Sequence, residues 1–207
     1  MDPAAWDERY SGADLVWSGS PNVHVADLVG RLTPGRALDV AAGEGRNAVW
    51  LAERGWRVVG ADFSPVAVRR MRDIADRRLG GDAERLEAVV ADATQPAPGS
   101  SFDLVLFCYL QLADGPWRTA LEHGVDACAP GGTVVVVLHA ERNLGEGVGG
   151  PQDASVLHDP DAVVAAVADL PVDVEVAEVR ERVVDGAGRP ALDTVVVLRR
   201  LGDPSDA

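Results

Sequence analysis

The sequence predicts an α/β protein, with a mostly parallel sheet, helices on both faces and an antiparallel hairpin at one edge. Three observations carry that expectation. Short β-rich runs alternate with helical patterns from residue 37 to residue 138, as strands joined by crossover helices do. A small-residue turn, Ala41-Ala42-Gly43-Glu44-Gly45, separates the first of these strands from the first helix. The last two apolar runs are linked only by Asp185-Gly186-Ala187-Gly188-Arg189-Pro190, too short for a parallel crossover.

The elements follow in order. The first thirty residues carry Trp6, Tyr10 and Trp17 with weak periodicity, and a helical cap over the sheet is expected there. Ala37 to Val40 reads as a strand, and Asn47 to Arg54 as a helix closed by Gly55. Arg57 to Ala61 is the second strand. Pro65 to Leu79 is a helix with Ser64 as N-cap and Pro65 at its first position. Ala67, Met71, Ile74 and Ala75 share one of its faces. Its Arg69–Asp73, Arg72–Asp76 and Asp73–Arg77 spacings predict ion pairs along a solvated face. Leu86 to Ala91, Phe102 to Phe107 and Thr133 to Leu138 read as strands, with a helix from Ala120 to Ala129 stopped by Pro130-Gly131-Gly132. Leu144 to Pro151, rich in glycine, reads as a mobile loop, and Asp161 to Leu170 as a helix. Val172 to Val184 and Ala191 to Arg200 form the hairpin. The expected organisation is one domain over residues 1–207, with a cap (1–30), a ligand-binding core (31–140) and a loop followed by a helix and hairpin (141–207).

Composition excludes several classes. The chain has 207 residues, 47% hydrophobic and 25% charged, the balance of a globular domain. Its net charge of −14 repels a phosphate backbone, so no nucleic-acid partner is expected. No apolar run approaches the ~20 residues of a membrane span, and residues 1–8 have no basic start and no apolar stretch, so a secretory signal is not expected there. Cys108 and Cys128 have no CxxC spacing, and His24, His123 and His158 no metal-ligand spacing. A reduced, cytoplasmic setting, no metal, a small-molecule partner and a monomer or homodimer are expected.

The glycine turn carries the chemistry. A strand feeding small residues and then a helix start presents free N–H groups to a ligand at the carboxyl end of the sheet. Gly43-x-Gly45-x-x-Ala48, with Asp62 further on, formally matches a dinucleotide fingerprint, which keeps a nicotinamide-dependent oxidoreductase as an alternative. Asp39 favours a different ligand, S-adenosylmethionine. It lies where a dinucleotide fold carries apolar residues, and an acid there can face an α-ammonium. Asp62, ending the second strand, can accept both ribose hydroxyls. Asp92, with the Ala93 amide, can meet an adenine edge.

These segments resemble a known family. Leu38-Asp39-Val40-Ala41-Ala42-Gly43-Glu44-Gly45-Arg46-Asn47-Ala48, Leu51 to Val58, Asp62-Phe63-Ser64, Ala91-Asp92-Ala93, Phe102-Asp103-Leu104-Val105 and Pro130-Gly131-Gly132 are similar to class I S-adenosylmethionine-dependent methyltransferases. Trp6-Asp7-x-x-Tyr10 and Pro21-Asn22 resemble the small tellurite-resistance/thiopurine-type branch. The resemblance implies a Rossmann-like seven-stranded sheet of order 3-2-1-4-5-7-6 with strand 7 antiparallel. It implies S-adenosylmethionine contacts at Asp39, Ala41, Gly43, Gly45, Arg46, Asn47, Asp62, Phe63, Ser64, Asp92, Ala93 and Cys108. Ala41 departs from the family, which usually has glycine there; crowding of the cofactor, and a non-catalytic binding module, are the alternatives this raises.

The acceptor side is expected after the fourth strand, at Tyr109 and Gln111, under a lid of Trp6, Tyr10 and Trp17, with Asn143 helping to hold the acceptor. His139, ending the fifth strand, is the candidate general base, having a side chain suited to proton transfer near neutral pH.

Overall fold

The computed structural model describes Asp7, Tyr10 and residues 19–202; Trp6 and Trp17 lie outside the described residues. Seven strands form one sheet: β1 (Arg36–Val40), β2 (Arg57–Asp62), β3 (Leu86–Val90), β4 (Phe102–Cys108), β5 (Cys128–His139), β6 (Val172–Arg182) and β7 (Ala191–Arg200). Their order is β3-β2-β1-β4-β5-β7-β6. All neighbouring pairs are parallel except those of β7, which runs antiparallel to both β5 and β6. The expected order and the C-terminal hairpin are both present.

The α-helices that can be bounded among the described residues are α1 (Val23–Val29), α2 (Arg46–Glu53), α3 (Pro65–Leu79), α4 (Asp114–Ala127), α5 (Asn143–Glu146) and α6 (Pro160–Ala166). The central strands are buried on both faces, which explains their near-continuous apolar sequence. In β5, Val135 and Val137 join one apolar layer with Trp50 of α2 and Met71 of α3. Val134, Val136 and Leu138 join the other, with Trp117 and Leu121 of α4 and Val163 of α6. Each such side chain contributes about 1.5–3 kcal/mol when fully buried.

Local signals set the boundaries. Ser64 Oγ caps α3 by accepting from the Ala67 amide at 3.1 Å. Asn22 caps α1, its Oδ1 accepting from the His24 and Val25 amides. α4 begins at Asp114 rather than Ala120. Pro116 falls in its first turn, where a missing N–H costs nothing. It ends at Ala127, because Cys128 to Gly132 already belongs to β5, in a stretch where the β4–β5 register shifts. The loop expected over Leu144 to Pro151 is partly helical, since α5 covers Asn143–Glu146. α6 is shorter than expected. The predicted i,i+4 pairs of α3 are not made among the described residues. Arg70 and Arg78 instead reach Glu44 and Glu53 at 3.1 and 2.9 Å, and Arg72 donates to the Ala88 carbonyl. Tertiary partners outcompete weak surface pairs.

Candidate active site

Strand order reverses between β1 and β4, and open α/β sheets bind ligands at such a switch point. A cavity of about 300 Å³ lies there, at the carboxyl ends of the strands. It gathers residues that are distant in sequence: Asp39, Ala41 and Gly43 after β1, Arg46 and Asn47 from α2, Asp62 and Phe63 after β2, Asp92 and Ala93 after β3, and Cys108, Tyr109 and Gln111 after β4. Tyr10, in helical backbone, also lines it.

The glycine turn is held from two sides. The Ala42 amide donates to the Ala61 carbonyl at 2.9 Å. The Gly43 amide donates to Asp62 Oδ2 at 2.8 Å, and the Ser64 amide to Asp62 Oδ1 at 2.9 Å. Asp62 therefore braces the turn against the start of α3 and keeps lone pairs for a ligand. Burial raises its pKa, and the Ser64 and Gly43 amides oppose that shift.

Three residues of the motif have positive φ: Ala41 (55°), Gly43 (58°) and Gly45 (83°). Gly45 is the N-cap of α2 and does not line the cavity. A Cβ there would collide with the Met71 side chain, so its role is packing and turn geometry. Ser64 likewise faces away from the cavity: it is fully buried, caps α3 and donates from its hydroxyl to Asp7. Ala41 packs its methyl against the apolar layer beneath the turn while lining the cavity. An alanine thus holds a left-handed conformation that favours glycine.

Asp39 is 1% exposed, and among the described residues neither carboxylate oxygen has a hydrogen-bond partner. Burial pushes its pKa up to about 7, partly offset by the Arg46 guanidinium and the nearby Ala48 amide, which does not reach hydrogen-bond geometry. A buried, unpaired carboxylate is costly. One that lines a cavity suits a cationic ligand group, as the ammonium of a methionine moiety would provide. Asp92 is exposed, and its Oδ1 accepts from the Thr94 amide and hydroxyl, each at 2.8 Å. That local turn holds Asp92 and Ala93 at the cavity rim. The Cys108 thiol, 3.8 Å from Arg46 Nη2, is pushed up to about 11 by burial, so it is not a thiolate nucleophile near neutrality.

His139 and Asn143 do not line the cavity. Asn143 is a loop clamp: its Oδ1 accepts from the Leu192 amide at 2.7 Å and its Nδ2 donates to the Gly149 carbonyl at 2.9 Å. His139 stacks on the Tyr109 ring, with centroids 4.5 Å apart, and its Nδ1 is 3.3 Å from Asp193 Oδ1. Asp193 is not among the residues singled out from the sequence, and His24, which has no metal-ligand spacing, is buried beside it. Asp193 is fully buried and accepts from Tyr109 Oη at 2.8 Å and Arg182 Nε at 2.7 Å; His24 Nε2 stands 3.3 Å away. Its signal was present, an acid inside the apolar run Ala191 to Leu198. His158 is structural, bonded to the Leu112 carbonyl at 2.9 Å and stacked on Trp117. His123 lines the cavity.

Comparison with known proteins agrees with this geometry. Residues 37–132 match a methyltransferase domain family. The chain is similar to a demethylmenaquinone methyltransferase of Clavibacter sepedonicus, with 38% identity over 60% of this chain and 48% of that one. Another such enzyme, of Thermus thermophilus, is 39% identical over 61% and 55%. The chain therefore spans about half the length of these relatives. Among solved structures, one described for the conversion of a disulfide bond into a thioacetal group during echinomycin biosynthesis has a TM-score of 0.75. It is 22% identical and covers 99% of this chain and 92% of that one, a likeness of fold. Over residues 37–132 the chain carries a methyltransferase domain, similar in sequence to the matching half of these methyltransferases and in fold to the solved structure.

Proposed function

We propose that this protein transfers the methyl group of S-adenosylmethionine to a small-molecule acceptor. The observation that carries the reading is Asp39, a buried carboxylate in the wall of the cavity that has no hydrogen-bond partner among the described residues. It would pair with the cofactor's ammonium. Asp62 would accept the ribose hydroxyls, and Asp92 and Ala93 would meet the adenine edge. A pyrophosphate in the same turn would face Asp39 with like charge, which disfavours a nicotinamide cofactor.

The cofactor supplies an activated methyl group on a sulfonium. The chain's task is to orient the acceptor in line with it and to exclude water. Tyr109, Cys108 and Gln111, which line the cavity after β4, are the residues placed for that. Tyr109 holds φ at 62°, a strained value for a bulky residue. Its hydroxyl is fixed between Asn22 and Asp193. A reduced, cytoplasmic setting is part of the proposal, supported by two free cysteines. No helix among the described residues is long and apolar enough to cross a membrane.

Calorimetric titration with S-adenosylhomocysteine, beside NAD and NADP, tests the reading. Saturable one-site binding of S-adenosylhomocysteine alone is expected. Binding of a nicotinamide cofactor instead, or of none of the three, overturns it.

A further inference from the structure

A buried polar cluster lies beside the cavity, on the far side of Tyr109. Asp193 of β7 is its centre, fully buried. Burial alone would raise its pKa, but contacts from His139, His24 and Arg182 hold its carboxyl well below the usual range. It is therefore an anion that organises the groups around it. Tyr109 and His139 are stacked nearly parallel, at 19°, and both rings reach the same carboxylate. A backbone strap crosses His139: a Cβ on Gly150 would stand 2.9 Å from the ring, and Asn143 anchors the strap through the Gly149 carbonyl. Packing on Tyr109 and under the strap leaves the imidazole little freedom to turn.

His139 Nδ1 faces Asp193 at 3.3 Å, although the angle falls short of a formed hydrogen bond. Such contacts are often long before an acceptor is bound. Its Nε2 has no protein partner among the described residues, and the residue is 9% exposed. His139 lies outside the cavity assigned to the cofactor, while its stacking partner lines that cavity. This placement suits a group that acts on an acceptor approaching the methyl group past Tyr109.

Resting on the methyl-transfer reading, we infer that His139 Nε2 is the base that deprotonates a protic acceptor, an O–H or N–H nucleophile, and that Asp193 is the positioning residue that holds its other nitrogen. The acceptor's oxygen or nitrogen forms a bond to the methyl carbon as the carbon–sulfur bond breaks. The thioether leaves with that bonding pair. The acceptor proton passes to Nε2, and Asp193 stabilises the resulting imidazolium. No other reactant is required. A soft anionic acceptor would need none of this apparatus.

The test is nitrogen-15 NMR of the full chain with labelled histidine, the His139 resonances being assigned by their loss in His139→Gln. The expected spectrum has the proton on Nδ1 and a bare Nε2. A proton resident on Nε2 overturns the inference. In Asp193→Ala the single-tautomer signature should be lost, and its persistence would remove Asp193 from the role. If that variant does not fold, the wild-type spectrum decides alone. Calorimetry separates this inference from the reading beneath it. His139→Gln should bind S-adenosylhomocysteine within about threefold of wild type, under 1 kcal/mol of binding free energy. A loss of tenfold or more would place His139 on the cofactor side and overturn its acceptor role. Failure of the wild type to bind S-adenosylhomocysteine would instead overturn the methyl-transfer reading, and leave the tautomer result standing.

Discussion

Asp62, at the end of β2, and Ala41, in the glycine turn, both shape that turn and line the cavity beside it. Asp62 fixes the Gly43 and Ser64 amides while lining the cavity. Asp62→Ala should weaken S-adenosylhomocysteine binding by about 100-fold or more, since hydrogen bonds to a charged group contribute about 1.5–3 kcal/mol each. Calorimetry on the variant, with its fold checked by circular dichroism, measures this; unchanged affinity would refute the ribose assignment. Ala41 holds φ at 55°. Ala41→Gly relieves that strain but gives the unfolded chain more freedom, so a net gain of about 0.5–1 kcal/mol in urea unfolding is expected. That Asp39, Gly43, Asp62 and Asp92 would line one cavity was legible because they end strands or occupy a turn. Gly45 and Ser64 were read with them, yet one packs on Met71 and the other caps a helix. Local spacing places a residue near a site but does not say which way it faces.

At the scale of elements, α1 is tied to the site through its N-cap. Its N-cap, Asn22, is 3% exposed. Besides capping, its amide donates to Asn47 Oδ1 at 2.9 Å and its Nδ2 to Tyr109 Oη at 3.0 Å. Asn22→Ala removes the cap and the Tyr109 bond together. It should cost about 1–2 kcal/mol and raise hydrogen exchange at the amides of Val23–Val29 above that in β5. Equal protection of α1 in both proteins would show that apolar packing by Val25 and Val29 holds the helix without its cap. Expected and observed bounds coincide for α3 and β7, where a capping residue and a turn mark the start. They diverge for α4, which starts at Asp114 because Pro116, lacking an N–H, fits within a first helical turn.

For the whole molecule, the burial of Asp39 makes stability depend on pH, and its proposed contact with the cofactor makes affinity depend on pH as well. Its carboxyl is raised from 3.8 to about 7, so the native state binds the proton more tightly than the unfolded chain. The stability associated with the protonated group is fully present below about pH 4 and is lost as pH rises to about 7, a few kcal/mol in all. Asp39→Asn should therefore gain stability relative to wild type across that window, read as a thermal midpoint difference that levels off above it. Affinity for S-adenosylhomocysteine should move the other way, rising in wild type as Asp39 ionises and staying flat in the variant. A midpoint difference independent of pH would mean that Asp39 is already charged at the acid end.

The sequence by itself determined the α/β class, the terminal hairpin and the acid-bearing strand ends, because periodicity, caps and turn residues act over a few neighbours. Through its resemblance to a family it also implied the strand order. The tertiary structure alone decided the partners of His139. Asp193 lies 54 positions away in sequence and is brought to it by the antiparallel register that pairs His139 with Asp193 across β5 and β7. That long-range pairing also joins Tyr109, His24 and Arg182 around one buried carboxylate, a cluster that no local spacing encodes.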